Sequence, residues 1–292
     1  MEVITPKVSI IIPHYNKVEY LKRLLPGVAN QTFQDYEVII IDDFTQDRSA
    51  PEYIRSLIKD YSKVRLVENT ENMRFIKTVN KGIELAKGDY VCLLNQDTEV
   101  KNNFVQRNVE IMDADPSIGA LSCIVVDKDG KNWFSGGRFK SGAIVNLVDD
   151  FEGIRTVDFV AGTACFYRKE VFNKIGLFDE NFIMYHEDVE FGLRMKSKTN
   201  YRTCMFADKL VIHYVVPSIP RGDFFYYLNR NHIMLLRRHG KRYIPKIVLL
   251  NTLRQIANLV FVSVTKRDVK TLLFSRYVVR GTLDSLVRRQ NH

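Results

Sequence analysis

The stretch Gly88-Asp-Tyr-Val-Cys-Leu-Leu-Asn-Gln-Asp-Thr-Glu99 sets three oxygen-bearing side chains, Asn95, Asp97 and Glu99, directly after a short apolar run. Asp97 can bind a hard cation and Asn95 can add a carbonyl oxygen. The same Asn-Gln-Asp-Thr segment can instead turn the chain and cap the next helix, and on this segment alone the two readings stand level. Tyr185-His-Glu-Asp188 opens a later helical pattern, so Glu187 and Asp188 sit where acidic side chains commonly act as dipole partners and caps. His213 lies among Val211, Ile212 and Tyr214, where a lone imidazole is more often a satisfied core residue than a ligand.

These groups need elements to position them. Val8–Ile12, Tyr36–Ile41, Val64–Val67 and Tyr90–Leu94 are short, mostly β-branched runs bounded by polar residues, and they read as buried strands. Between them, apolar residues recur at helical spacing: Tyr20, Leu21, Leu24, Leu25 and Val28, then Ile54, Leu57, Ile58 and Tyr61, then Phe75, Val79, Ile83 and Ala86. Alternation of this kind predicts an α/β domain, a parallel sheet with helices on both faces. Three of the four strands deliver polar groups at their C-terminal ends (Asn16; Asp42 and Asp43; Asn95 and Asp97), the edge where open α/β sheets bind ligands. Neither a dinucleotide glycine fingerprint nor a P-loop follows the first strand, so bound phosphates would need another partner, most simply a metal.

Beyond Glu99 the spacing predicts a helix over Phe104–Met112, a strand over Ile118–Val126, a hairpin turn at Asp127–Gly130 and a mixed, glycine-rich segment from Trp133 to Val148. One strand is expected over Val157–Tyr167, where Ala161, Gly162 and Thr163 leave room for a ligand or for close backbone packing. A helix over Arg168–Ile175 and a strand over Leu210–Val216 complete the body.

The whole chain has 292 residues, 46% hydrophobic and 26% charged, enough for one large domain or two intimate ones. Its four cysteines, Cys92, Cys123, Cys165 and Cys204, form no C-x-x-C pair, which argues against a zinc knuckle or a thioredoxin-type site and fits free thiols in a reducing cytosol. The N-terminus lacks the sections of a signal peptide, and no run of about 18 uncharged apolar residues predicts a spanning helix. Charge is unevenly spread: Arg221 to His292 holds 15 Lys and Arg against 3 Asp and Glu, a net +12, while the rest nets −3. Ile247–Val264 and Val269–Val287 read as amphipathic helices within this basic tail. Two readings of the tail are open: a helical extension packed on the body, and a helix pair lying in an anionic membrane interface. Nucleic-acid binding is the weaker third, since stacking aromatics and recognition-helix signals are few.

Val8-Ser-Ile-Ile-Ile-Pro-His-Tyr-Asn16, Gln31-Thr-Phe33, Ile41-Asp-Asp43, Gly88-Asp-Tyr90, Asn95-Gln-Asp97 and Glu187-Asp188 occur in that order, and together they resemble family 2 glycosyltransferases of the GT-A fold. The Asn-x-Asp-Thr-Glu form is most similar to the branch that includes bacterial rhamnosyltransferases. The resemblance covers roughly Val8–Val216, extends weakly to Arg230-Asn231, and gains its specificity from order and spacing. It implies a Rossmann-like nucleotide-sugar half over residues 1–104 merged with an acceptor-side half over 105–216, followed by the basic helical extension over 217–292.

The resemblance also implies roles. Pro13, Tyr15 and Asn16 would border the base and ribose of a nucleotide-diphosphate sugar, Asp43 would bond the base, and Arg74 and Asn80 would touch the donor. Asn95 and Asp97 stand where the family has Asp-x-Asp for the diphosphate and its divalent metal, manganese or magnesium, with His213 as a late metal contact. Asp188 matches the general base of an inverting transfer; Trp133, Gly162, Thr163 and Glu187 would line the acceptor side. The acceptor would be a cell-surface glycan or lipid-linked sugar, in polysaccharide biosynthesis for the cell envelope, and the enzyme would be cytoplasmic and peripheral at the inner membrane face. Three positions depart from the pattern: Asn95 replaces a carboxylate, Phe44 stands where glycine often follows the paired aspartates, and His14 replaces a smaller residue. The first of these keeps open a non-catalytic nucleotide- or glycan-binding module with the same fold. A nucleotidyltransferase fits less well, for want of a glycine-rich basic loop after the first strand.

Overall fold

The computed structural model describes residues 5–214, 221–239, 244–266 and 269–287. Val215 and Val216, expected to end a strand, and the terminal bases Arg288 and Arg289 lie outside the described residues. The first half runs β1 (Val8–His14), α1 (Val18–Ala29), β2 (Tyr36–Asp42), α2 (Ala50–Ile58), β3 (Val64–Glu68), α3 (Phe75–Leu85), β4 (Tyr90–Leu94), β5 (Thr98–Val100) and α4 (Phe104–Ala114). It continues with β6 (Ile118–Val126), β7 (Asn132–Phe134), β8 (Gly136–Lys140), β9 (Ala143–Leu147), β10 (Ile154–Val157), β11 (Ala164–Arg168), α5 (Lys169–Ile175), α6 (Glu187–Lys198) and β12 (Arg202–His213). Three helices follow: α7 (Arg221–His239), α8 (Ile244–Lys266) and α9 (Ser275–Val287), the last entered through a 3-10 turn at Val269–Phe274.

Two compact units divide these elements. The first holds the chain up to Arg138, Ile144–Glu180, and Asp188 to the end of β12. The second holds Phe139–Ala143, Asn181–Glu187 and helices α7 to α9.

The first unit is built on a 10-stranded sheet with the path β10-β12-β6-β11-β4-β1-β2-β3, to which β5 and β7 add at β12 and β6. Its β3-β2-β1-β4 side is parallel, as the strand–helix alternation requires. Val8, Ile10, Ile11, Ile12, Val38, Ile39 and Ile40 in β1 and β2 are almost wholly excluded from solvent, which is why these strands read as unbroken apolar runs. The far side is mixed rather than parallel: β11 enters antiparallel between β4 and β6, and β12 runs parallel to β6.

The single strand expected over Val157–Tyr167 is two, β10 pairing with β12 and β11 pairing with β4. The break falls at 158–163 because backbone groups there leave the ladder: Asp158 N–H donates to Gly137 O (2.8 Å), Phe159 O accepts from Gly137 N–H (3.1 Å), and Gly162 N–H donates to Asp188 Oδ2 (3.2 Å).

Gly88 starts β4 where no side chain fits. A Cβ there would stand 2.6 Å from Ser9 N and 2.8 Å from the Val8 carbonyl carbon, and Ser9 Oγ accepts from Gly88 N–H at 2.8 Å. Gly88→Ala must push β1 and β4 apart, so it is expected to cost about 1–3 kcal/mol, read as a lowered denaturant midpoint at unchanged slope.

In the second unit, α7 and α9 approach closely at Gly281, whose added Cβ would lie 2.6 Å from Tyr226 O. Asn229 Nδ2 donates to Val278 O (2.8 Å) and Thr282 Oγ1 (2.6 Å) across the same contact. Ile233, Leu236 and Val248 form its buried apolar cluster, with Phe139 packed against it. By length and composition, Val248–Thr265 of α8 is apolar enough to cross a membrane. Arg254 is the one charge that interrupts this window and hides it from a search for uncharged runs.

Candidate active site

Within the first unit, the polar ends of β1, β2 and β4 meet at one edge of the sheet. Asn16 Oδ1 accepts from Gln46 N–H (3.0 Å) and Asn16 N–H donates to Thr45 Oγ1 (3.0 Å), joining the loop after β1 to the loop after β2. Pro13 precedes it half-buried, while Tyr15 is exposed. Asp42 is spent locally, accepting from the Thr45 amide and hydroxyl. Asp43 Oδ1 accepts from Asn69 Nδ2 (2.9 Å) and Met73 N–H (2.7 Å), which brings the exposed Arg74 beside it. Phe44 adopts φ 58, the left-handed backbone for which glycine is usual, and its exposed ring carries the Arg48 guanidinium 4.1 Å from its centroid. Asn80 stands apart from this group: its amide donates to Phe178 O (2.9 Å) and accepts from Phe178 N–H (3.1 Å), fastening α3 to the turn after α5.

His14, fully buried, acts on the stretch after β4. Gln96 Nε2 donates to Tyr15 O (3.2 Å), so Gln96 Oε1 faces His14 Nδ1 at 2.5 Å and requires a proton on that nitrogen. Burial outweighs the nearby Asp42 carboxylate and the Gln96 bond, and lowers the His14 pKa below its ordinary value. The imidazole is therefore a neutral strut that fixes Gln96 between Asn95 and Asp97.

Asp97 lies half-buried, its Oδ1 3.4 Å from His213 Nε2 at the end of β12. Tyr214 N–H donates to Asp97 O (2.8 Å) and β5 pairs with β12, so the sheet itself holds this pair. The Trp133 ring meets the His213 imidazole edge-on, centroids 4.3 Å apart. Two ligands held about 2.0–2.2 Å from one divalent ion at a right angle lie about 3 Å apart, so the Asp97–His213 separation suits neighbouring positions on such an ion. No cluster of three or more His, Cys, Asp or Glu exists among the described residues, so further ligands would come from Asn95, solvent or a bound phosphate.

Asp188 is half-buried at the start of α6, accepting from Gly162 N–H (3.2 Å) and Val189 N–H (2.8 Å). Burial raises its pKa above the ordinary carboxylate value, and the two amide bonds oppose that rise without cancelling it. The raised value makes Asp188 a better proton acceptor than a solvated aspartate. Asn95 N–H is bonded to Thr163 C=O and Asp188 to the adjacent Gly162, so the backbone at 162–163 ties the stretch after β4 to the start of α6. A buried Glu190–Arg194 pair (3.0 Å), with Arg194 also donating to Leu177 O (2.8 Å), anchors the next turn of α6.

In the second unit, the turn that leads into Glu187 carries positive φ at Ile183 (62), Tyr185 (66) and His186 (65), none of them glycine. Strain of this kind persists only where surroundings over-determine it. Asn231 Nδ2 reaches Phe182 O (2.7 Å), Met184 O (2.7 Å) and Tyr185 O (2.8 Å), and Arg230 Nη1 donates to Asn181 O (2.8 Å). Asn231→Ala leaves these carbonyls without their donor and is expected to cost about 1–3 kcal/mol. Hydrogen exchange should then quicken at 182–188 before it quickens in the sheet.

The family model for glycosyl transferase family 2 matches residues 9–176, more than half of the chain. The chain belongs to glycosyl transferase family 2. The O-antigen biosynthesis protein RfbC of Myxococcus xanthus is 26% identical over 241 residues, covering 76% of this chain but 19% of RfbC. The amylovoran biosynthesis glycosyltransferase AmsB of Erwinia amylovora is 27% identical over 222 residues, 74% of this chain and 68% of AmsB. Among solved structures, the mannosyltransferase PcManGT from Pyrobaculum calidifontis, in complex with GDP-Man and Mn2+, superposes with a TM-score of 0.62 at 16% identity over 98% of this chain and 88% of that one. The fold of this family 2 member is thus GT-A: a nucleotide-binding type of sheet with a mixed extension, and helices at its C-terminal end. The family match stops short of Asp188 and His213.

Sequence reasoning missed three contributors: Gln96 as the strut between Asn95 and Asp97, strand β5, and Asn231 as the clamp on the turn before Glu187. Only Asn231 left a sequence signal, a polar pair with Arg230 inside a helix pattern.

Proposed function

We propose that this protein is an inverting glycosyltransferase that moves a sugar from a nucleotide-diphosphate donor to a hydroxyl of a glycan or lipid-linked acceptor. The observation that carries this reading is the pair of adjacent anchor points, Thr163 holding Asn95 and Gly162 holding Asp188. Loss of a diphosphate needs positive charge on one side of the reacting carbon, and attack by a hydroxyl needs a proton acceptor on the other. Asp97 and His213 suit the first side and Asp188 the second.

Pro13, Tyr15, Asn16, Asp43 and Arg74 surround the base and ribose in this reading, and Trp133, Gly162, Thr163 and Glu187 border the acceptor. Asp97 and His213 would hold a divalent ion, Mn2+ or Mg2+, with Asn95 beside them, and such an ion would supply neutralisation of the leaving diphosphate. Asp188 accepts the hydroxyl proton as the oxygen attacks, and a single displacement inverts the anomeric carbon. The biosynthetic titles of RfbC and AmsB support an envelope or capsular polysaccharide product, and a hexosyl or rhamnosyl donor is the working expectation. The basic tail supports a peripheral position at the cytoplasmic membrane face, close to a lipid-linked acceptor.

A panel of nucleoside diphosphates and nucleotide sugars, with and without Mn2+, tests the donor half. A ligand at about 100 times its Kd should stabilise the folded state by about 2.7 kcal/mol, read as a rise in Tm. Transfer of labelled sugar from the stabilising donor tests the rest. The other reading, a binding module without catalysis, draws on Asn95 in place of an acid; donor binding with neither transfer nor donor hydrolysis would select it.

A further inference from the structure

Helix α8 turns Asn251, Thr252, Gln255 and Ser263 inward beside Val248 and Leu259, and leaves outward a mostly apolar side that Arg254 and Asn258 interrupt. Facing α7 and α9, Asn251 Nδ2 pairs with His232 Nδ1 (3.0 Å), Thr252 Oγ1 with Thr282 Oγ1 (3.1 Å), and Gln255 Nε2 with Asn229 Oδ1 (3.1 Å), and Ser263 is also buried. On the other side Leu249, Leu250, Leu253, Val260, Phe261 and Val264 are exposed, by 59, 56, 52, 43, 66 and 71%. Leu250, Leu253, Ala257, Val260 and Val264 follow each other at steps of three and four residues, so they form one stripe. In α9, Val279, Leu283 and Leu286 are exposed too, together with the bases Arg276 and Arg280. Eleven of the seventeen exposed large hydrophobic side chains among the described residues lie between Leu249 and Leu286. Contiguous apolar surface of this kind marks an interaction site.

We infer that the outward stripe of α8 inserts into the headgroup–acyl boundary of an anionic bilayer, with α8 lying in the plane of the membrane. The charge of the tail selects this occupant. A second copy would bring two segments of net +12 face to face, whereas an anionic surface neutralises them. In-plane insertion follows from the packing: Val248, Thr252, Leu259 and Ser263 are buried and α8 packs on α7 and α9, so α8 could span only with them, and Arg230, Arg237 and Arg238 make α7 too charged for the hydrocarbon. The inference rests on the reading of the tail as membrane-facing, and it specifies that apolar insertion holds the protein there, beyond charge attraction.

Co-sedimentation of the full chain with vesicles of phosphatidylserine in phosphatidylcholine tests it. At about 1 M salt the Debye length shrinks to about 3 Å, so charge attraction alone is screened out. Retention of a large bound fraction under that condition is expected. Phe261→Glu and Leu253→Glu should each weaken association roughly tenfold or more. Their melting and their donor-induced thermal shifts without vesicles should match the parent, which separates failure of insertion from failure of the enzymatic reading. Complete release at high salt, or equal binding by the two variants, overturns the inference. So does a concentration-dependent dimer without lipid that Phe261→Glu dissolves, since the stripe would then be an interface between copies.

Discussion

Asp188→Asn is expected to slow sugar transfer by roughly 10²–10⁴-fold while leaving donor affinity close to that of the parent. The substitution is nearly isosteric. Gly162 N–H donates to one Asp188 carboxylate oxygen and Val189 N–H to the other, so the single Asn oxygen keeps one of these bonds, while Thr163 C=O still accepts from Asn95 N–H. What disappears is the ability to take a proton. Because burial raises the Asp188 pKa in the folded protein, the acidic limb of the pH–rate profile should lie above the range of an ordinary aspartate. Activity should rise as pH increases through that limb, since only the ionised form accepts the proton.

The same shift makes a stability prediction with a definite sign. A folded-state pKa above the unfolded value near 3.8 means that the folded protein binds the proton more tightly, so stability contributed by this group falls as pH rises between the two values. Above both, the parent carries a buried charge that the Asn variant lacks. Asp188→Asn loses one amide bond at every pH but is free of that charge, so its Tm relative to the parent should rise as pH increases through the raised pKa. A variant that is inactive because it is unfolded would instead melt markedly lower.

Asp97→Ala is expected to weaken metal-dependent donor binding by roughly 10²-fold or more, because even partners outside the direct ligand set typically cost 10–100-fold in metal affinity. The nearby Glu99 is engaged by the Tyr214 hydroxyl (2.9 Å), and Asn95 offers only a neutral carbonyl. His213→Ala should act in the same direction with a smaller effect, since the imidazole carries no compensating charge. Asn95→Asp should move the other way and lower the Mn2+ concentration needed for half-maximal donor binding. Titrating Mn2+ at fixed nucleoside diphosphate in a thermal-shift format measures all three. If Asp97→Ala kept a full metal-dependent shift, the phosphate side of the site would have to be built from other residues.

The parallel half of the sheet was legible because Val8–Ile12, Tyr36–Ile41 and Tyr90–Leu94 are buried on both faces and leave no alternation to misread. The polar ends of those strands were legible for the same reason: Asp42 and Asn95 follow apolar runs with nothing between, and Asp43 comes next after Asp42. The antiparallel entry of β11 was hidden because the apolar pattern runs through the break at 158–163, and what interrupts the ladder is backbone bonding to Gly137 and Asp188. Strand β5, three residues long, carries too few side chains for any period. The Asn231 clamp grips carbonyls 46 to 49 residues away, a relation no local pattern encodes. The amphipathic pattern of α8 was visible, but its direction was not: periodicity shows that a helix has two faces, and only packing shows which of them points inward.

The most direct measurement is a crystal structure of the protein grown with Mn2+ and a nucleoside diphosphate, with anomalous scattering used to locate the ion. A peak between the Asp97 carboxylate and His213 Nε2, with the terminal phosphate directed toward Gly162 and Asp188, is the predicted result. An ion or nucleotide seated elsewhere, such as the concavity at Ser117, Lys174 and Tyr201 near the starts of β6 and β12, would contradict it.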